Sequence, residues 1–186
     1  GLVIAGIAKG LELVEIVEET RDPYTMLSLS LYMLYQREYN LVVDFARMAV
    51  EARPDFAEAH YQLAIGLCYL GRYSDSLAHY SKAIELKPDY SSAYYSRANA
   101  RNMLKDRKGA IDDYVKAASL FTHPREKARV LAASAIVYAD IGEVEHAIRM
   151  AKKALKIDKK WSIYNIACLY SILSKNDPKL RDTAIK

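Results

Sequence analysis

The sequence predicts an all-α solenoid built from antiparallel helix pairs. Three observations predict it. Glycine and proline are scarce, 7 and 5 in 186 residues, where a sheet protein of this length needs many turns. Apolar residues recur at spacings of three and four, the period of a helix face. The chain also matches itself when shifted by 34 residues, and a fixed period of this size is the mark of a repeat architecture.

The shift places Pro54 on Pro88, Tyr39 on Tyr73 and Tyr80 on Tyr114. Ala49 falls on Ala83 and then Ala117; Ser30 falls on Ala64 and then Ala98. After three extra residues around Arg125 to Lys127 the register resumes, with Ala98 on Ala135, Gly71 on Gly142, Ala110 on Ala147 and Ala117 on Ala154. The expected organisation is an N-terminal capping helix over residues 1–22, then units 23–56, 57–90, 91–124 and 125–159, and a partial unit 160–186.

The opening stretch, residues 1–20, is helical in pattern but outside the repeat. Its apolar positions Ile7, Leu11, Val14 and Val17 are expected to cap the first unit, with Glu15, Glu18 and Glu19 in water. The eight-residue run GLVIAGIA is too short to span a bilayer, so it reads either as part of that cap or as the end of a membrane segment. In the second unit, Leu63, Ala64, Leu67 and Leu70 form one stripe, and Gly71 stands where a left-handed helix cap favours glycine. Leu77, Tyr80, Ala83, Ile84 and Leu86 form the face of the following helix. Pro88 ends it, because proline cannot continue a helix and disfavours helical geometry in the residue before it. Small residues at Ala64, Ser76, Ala83 and Ala98 mark places where helices cross closely, with Tyr80 filling the space they leave.

The third unit departs from this pattern. Arg97 and Arg101 stand where the second has Leu63 and Leu67, on one helix face, and Asp112 and Asp113 are the expected partners, because an unpaired buried charge is costly. At the other end, LSKNDPKLRDTAIK begins a second helix and stops at Lys186. The expectation is a domain that is truncated or continues in a longer protein.

Composition bounds the chemistry. The chain is 52% hydrophobic and 27% charged, enough to bury a core. A net charge of +4 is too mild to argue for nucleic acid or an acidic membrane. Cys68 and Cys168 lie a hundred residues apart, without a CxxC, and read as buried thiols. There is no GxxxxGK, GxGxxG, HExxH or GxSxG motif, and His60, His79, His123 and His146 show no ligand spacing. No catalytic residue, cofactor or metal is expected, and the chain is read as a non-enzyme. With no secretory signal evident, the expected location is the cytoplasm. The lysines of KKALKIDKKW (Lys152, Lys153, Lys156, Lys159, Lys160) are read as solubilising a convex face and complementing a helix C-terminus.

The residues Leu63, Ala64, Gly71, Tyr73, Ser76, Tyr80, Ala83 and Pro88, with their equivalents, resemble the tetratricopeptide repeat over roughly residues 23–173. The resemblance implies a right-handed superhelical solenoid acting as a protein–protein interaction scaffold. In proteins of this kind the first helix of each unit lines a concave surface. Carried over by position, that surface comprises Tyr24, Leu27, Leu31 and Tyr35, then Glu58, Tyr61, Ile65 and Tyr69. It continues with Ser92, Tyr95, Asn99 and Asn102, then Arg129, Ala132, Ile136 and Asp140, and ends at Trp161 and Tyr164. The chain has 15 tyrosines, a residue that combines apolar area with a hydroxyl and is enriched in binding surfaces. Asn99 and Asn102 gain little by packing and are read as hydrogen-bonding an extended peptide. A subfamily that grips chaperone C-termini uses Lys and Asn on successive first helices. Only Asn99 matches, so that clamp is not expected.

The expected partner is another protein, offering an extended peptide or a helix to a tyrosine-rich groove. The alternatives are the targeting or regulatory arm of a larger enzyme and, less favoured, an RNA-binding helical repeat. No membrane span is expected in this segment. The N-terminal helix and the incomplete last unit offer routes to self-association.

Overall fold

The protein is seen in a computed structural model that describes residues 22–159. The expected cap, the partial last unit, Trp161, Tyr164 and Cys168 lie outside these residues. The described residues form eight helices and no strands: α1 (Pro23–Gln36), α2 (Tyr39–Ala52), α3 (Ala57–Tyr69), α4 (Tyr73–Leu86), α5 (Ser91–Met103), α6 (Arg107–Leu120), α7 (Pro124–Asp140) and α8 (Val144–Ile157). The chain divides into two compact units at Pro88/Asp89, the proline-marked link between the second and third repeats.

In the first unit α1 packs on α2, α2 on α3, and α3 on α4. Asp22 caps α1 by accepting from the Thr25 backbone N–H at 2.8 Å and from its hydroxyl at 2.7 Å, with Pro23 in the first turn. Met26, Met33, Val42, Phe45 and Ala49 form one core cluster, and Val43, Ala46, Leu63 and Leu67 another. α2 comes close against α3 at Gly66. A Cβ added there would stand 2.8 Å from Val42 Cγ1 and 2.9 Å from Val43 Cγ2. Tyr80 is buried, as are Ala64 and Ala83, both of which have no exposed surface. Its hydroxyl points to Cys68 Sγ at 3.5 Å, and Ser76 Oγ donates to the Tyr73 carbonyl at 2.7 Å. Cys68 is therefore partly exposed and engaged with polar groups, not the fully buried thiol expected.

In the second unit α5 packs on α6, α6 on α7, and α7 on α8. Ala98, Ala110, Tyr114, Ala117, Val130 and Val137 belong to its larger core cluster, and Ala135, Ala139, Ala147 and Ala151 to a smaller one. The expected crossing residue Ala98 is fully buried.

The turn inside each helix pair repeats bond for bond. Arg37, Gly71, Lys105 and Gly142 occupy the same register position, and all have positive φ: 62°, 76°, 67° and 81°. Each backbone N–H bonds back three residues, as Gly71 does to the Cys68 carbonyl at 3.0 Å. The following N–H bonds back five, as Arg72 does to the Leu67 carbonyl at 2.9 Å. This double bond pattern satisfies the carbonyls left open at a helix end. Glycine adopts it freely in two repeats; Arg37 and Lys105 accept a cost of about 1 kcal/mol each in the other two.

The ionic cluster at α5–α6 is as expected in kind and different in detail. Asp113 is buried and binds both arginines. Arg97 grips it bidentately through Nε at 2.8 Å and Nη2 at 2.7 Å. Arg101 Nη1 donates to Asp113 at 2.9 Å and to the Gly109 carbonyl at 3.0 Å. Asp112 is exposed and is not the partner. Adjacent helical residues point about 100° apart, so only one of the two carboxylates can face α5.

At the register position of Asp113, the first unit carries His79. Its Nδ1 lies 3.2 Å from Nδ1 of buried His60, whose Nε2 lies 3.0 Å from the Pro54 carbonyl. A carbonyl only accepts, so His60 Nε2 carries the hydrogen, and its Nδ1 is the atom that faces His79. Burial, then the charges of His60 and Arg47, hold the His79 imidazole below its ordinary value, against the pull of Asp75. Folded His79 thus binds fewer protons than unfolded His79, and stability rises with pH across that interval. The contribution is complete above the unfolded value of about 6.5 and is lost as pH falls through the lowered folded value. The urea midpoint is expected to be lower at pH 5.5 than at pH 7.5, and His79→Gln to shrink that difference. An undiminished difference in the variant would count against the pair.

Candidate functional site

First-helix residues of the first unit are arranged as a face. On α1, Tyr24, Leu31 and Tyr35 are 56%, 50% and 84% exposed, with Leu27 partly covered between them. On α3, Tyr69 is 59% exposed, and Tyr61 and Ile65 are partly buried. These positions recur at three and four residues, so each set lies along one side of its helix. Tyr69 stacks flat on Tyr39 of α2, ring centroids 4.6 Å apart and planes within 2°. That contact fixes a large, rigid ring while leaving one face open.

Beneath Tyr24 lies a cleft of about 570 Å³, lined by Tyr24, Leu27, Arg53, Phe56, Glu58 and Lys87 among others. Arg53 organises it. Its Nη1 donates to the Tyr24 hydroxyl at 2.6 Å and its Nε to Asp55 at 3.1 Å. Its guanidinium carbon sits 5.7 Å from the Tyr24 ring centroid and 5.1 Å from that of Phe56. The hydrogen bonds to Asp55, then to Tyr24, raise its proton affinity above the ordinary arginine value. The same register one repeat later holds an ion pair. Lys87 Nζ donates to Glu58 Oε1 at 3.0 Å. Partial burial pushes the Glu58 carboxyl up, but the Lys87 bond and a backbone N–H outweigh it and hold the group below its ordinary range. In both repeats the basic residue before the link proline reaches back to the start of its own first helix. The reading by motif missed Arg53 and Lys87; the aligned pairs Arg53–Pro54 and Lys87–Pro88 were the available signal.

First-helix residues of the second unit form a more polar group. Tyr95 packs on Tyr114 at 5.9 Å between centroids with a 53° tilt. In the first unit Tyr61 meets Tyr80 at 6.0 Å and 53°, the same arrangement at the same register. Tyr61 and Tyr95 are thus partly committed to packing against their own helix pair. Arg129 of α7 lies over the Tyr95 ring at 4.7 Å and pairs with Glu126 at 2.5 Å. The two asparagines are not idle amides. The Tyr114 hydroxyl donates to Asn99 Oδ1, and Arg107 donates to Asn102 through both its backbone carbonyl and Oδ1. Each side-chain oxygen is taken from within, which leaves the Nδ2 hydrogens of both amides as the donors still to be used. Arg107 also binds Asp140 at 3.2 Å. Ala132, expected on the inward face, is buried and belongs to the core.

Residues 67–104, from the end of α3 through α4 and α5, match the family model described as TPR repeat. This is a tetratricopeptide-repeat fold. Solved proteins with the same fold include MamA, 21% identical over 80% of this chain and 85% of that one, with a TM-score of 0.73. YrrB, described as a TPR protein with an unusual peptide-binding site, is 16% identical over 93% of this chain and 90% of that one, TM-score 0.72. TTC0263, a thermophilic TPR protein in Thermus thermophilus, is 19% identical over 92% of this chain and 93% of that one, TM-score 0.66. At these identities the likeness is one of fold. No curated protein matches at the level of sequence. The tetratricopeptide-repeat fold supports a protein-interaction scaffold in general terms.

Among the described residues, no three or more His, Cys, Asp or Glu side chains gather as metal ligands. No described helix is long and apolar enough to cross a membrane.

Proposed function

We propose that the chain is a protein-interaction module that docks an extended or helical segment of a partner on its first-helix faces. One observation carries this reading. Of the ten large hydrophobic side chains exposed among the described residues, five stand on α1 and α3: Tyr24, Leu31, Tyr32, Tyr35 and Tyr69. Scattered exposed apolar residues need no explanation, but a concentration on adjoining helices does. Tyrosines of this kind give contact area at low entropic cost because they have few rotatable bonds and several are already held by neighbours.

Leu27, Leu31, Tyr35, Tyr61, Ile65 and Tyr69 would supply apolar contact, and Tyr24 and Glu58 would flank the cleft organised by Arg53. In the second unit, the Nδ2 groups of Asn99 and Asn102 would donate to backbone carbonyls of an extended segment, a mode that gives affinity without reading side chains. Tyr95, capped by Arg129, would serve as a flat neighbour to that segment. Peptide binding is compatible with the fold, since the description of YrrB names such a site in that protein.

The test is selection of peptides on the intact chain from a displayed random library, followed by titration of the selected sequences. Micromolar binding, near about −8 kcal/mol, is expected. Tyr35→Ser with Tyr69→Ser removes two exposed rings and should weaken it at least tenfold, with melting lowered only by the loss of the Tyr39 stack, about 1 kcal/mol. Selected peptides that bind this variant as well as the parent would place the docking surface elsewhere.

A further inference from the structure

The second unit carries another surface, built from residues the peptide-docking face does not use. Between α6, α7 and α8 lies an open groove of about 430 Å³. Its floor is apolar: Val115 of α6, Leu131 of α7, and Met150 and Ile157 of α8. Val115 is 51% exposed and Ile157 36%, so part of this apolar lining remains in water. Three lysines edge it, Lys127 of α7 and Lys153 and Lys156 of α8, and no carboxylate lines it.

Those lysines differ from four arginines of the same unit. Arg97, Arg101, Arg107 and Arg129 all have carboxylate partners within the unit. The side chains of Lys127, Lys153 and Lys156 have no ion pair or hydrogen bond among the described residues. Solubilisation alone explains lysines scattered over a helix. It does not explain three that surround one apolar trough while every acid is kept out of it. Long lysine stems can also lie along apolar surface and hold their ammonium groups over whatever occupies the groove.

We propose that this groove docks an acidic amphipathic helix of a partner protein. Met150, Lys153 and Ile157 share one face of α8 across two turns, which corresponds to about 10 Å of helix axis. The occupant is therefore about two turns long, with apolar side chains at i, i+3 or i+4, and i+7. Glu or Asp on both flanks of that stripe would meet Lys127, Lys153 and Lys156. A nucleic acid fits the charges but not the floor, which offers no aromatic ring for bases to stack on. A membrane would need its apolar residues to protrude, whereas these line a depression.

The probe is a fluorescent 16-residue helical peptide with a leucine stripe and glutamates on both flanks, titrated into the full chain by anisotropy. A second peptide has lysines in place of the glutamates. The acidic peptide is expected to bind in the micromolar range and the basic one at least tenfold more weakly. Lys153→Glu with Lys156→Glu, both exposed side chains, should reverse that preference while the chain stays folded, with only the small loss of stability that acids near a helix C-terminus bring. Tyr35→Ser with Tyr69→Ser should leave it intact, which separates this groove from the tyrosine face. Equal binding of the two peptides would overturn the proposal. So would loss of binding only in the tyrosine variant, or lysine-dependent binding of single-stranded RNA or phosphatidylserine vesicles in place of the acidic peptide.

Discussion

Replacing Asp113 by alanine is expected to lower stability by about 3–5 kcal/mol in urea denaturation, the cost of stranding paired charges away from water. The Arg97 and Arg101 side chains keep only 14% and 26% of their surface exposed, and Asp113 5%. With the carboxylate gone, both guanidinium groups lose their strongest acceptor. The first repeat shows what the position otherwise holds. Leu29, Met33 and Phe45 stand at the register of Arg97, Arg101 and Asp113; Met33 and Phe45 are core residues, with Leu29 packed against them. Converting all three charged residues to that apolar set should therefore leave stability within about 1 kcal/mol of the parent or raise it, since a fitted apolar cluster commonly equals a buried ionic one. A loss below about 1 kcal/mol for Asp113→Ala alone would show that water reaches the cluster.

Tyr114→Ala is the second large expected effect, a loss of about 3–5 kcal/mol on chemical denaturation. The ring is 2% exposed and fills the space left by Ala98 and Ala117. Burial, then the neighbouring Tyr95, hold its phenol protonated well above the ordinary tyrosine range, so the hydroxyl acts as a donor to Asn99 at any accessible pH. Tyr114→Phe keeps the ring and removes only that bond, with an expected cost of about 1 kcal/mol. It also frees the Asn99 amide to turn. A peptide held through Asn99 should therefore bind this variant more weakly even where the fold is intact. If alanine and phenylalanine cost the same, the ring is not the filler described.

Small residues at fixed register were legible in the sequence because helix crossings constrain volume, and volume is written in residue type. Gly71 and Gly142 announced the left-handed turn for the same kind of reason. Arg37 and Lys105 concealed it, since bonds made by the backbone let a larger residue tolerate the conformation. Gly66 was hidden too: it marks a tight approach in the first unit but lies outside the alanine pattern. The choice of Asp113 over Asp112 needed the phase of α6 against α5, which two adjacent acids do not reveal.

The exposure of part of the candidate face was legible by position; its bonding was not. Leu31, Tyr35 and Tyr69 are exposed where the repeat places them. The partners that orient the site come from elsewhere in the fold: Arg53 from the link, Tyr114 and Arg107 from α6. Long side chains reach across a large part of a repeat unit, and no local pattern records where they end.

The repeat geometry requires helices to cross so closely that only the smallest side chains fit between them. Its most direct test compares Ala64→Leu, Ala83→Leu and Ala98→Leu with Ala78→Leu, which sits exposed on α4. Denaturation should show a loss of about 1–3 kcal/mol for each of the first three, from overpacking. The exposed control should stay within about 0.5 kcal/mol of the parent. Four indistinguishable curves would contradict close packing at those alanines, and with it the repeat geometry.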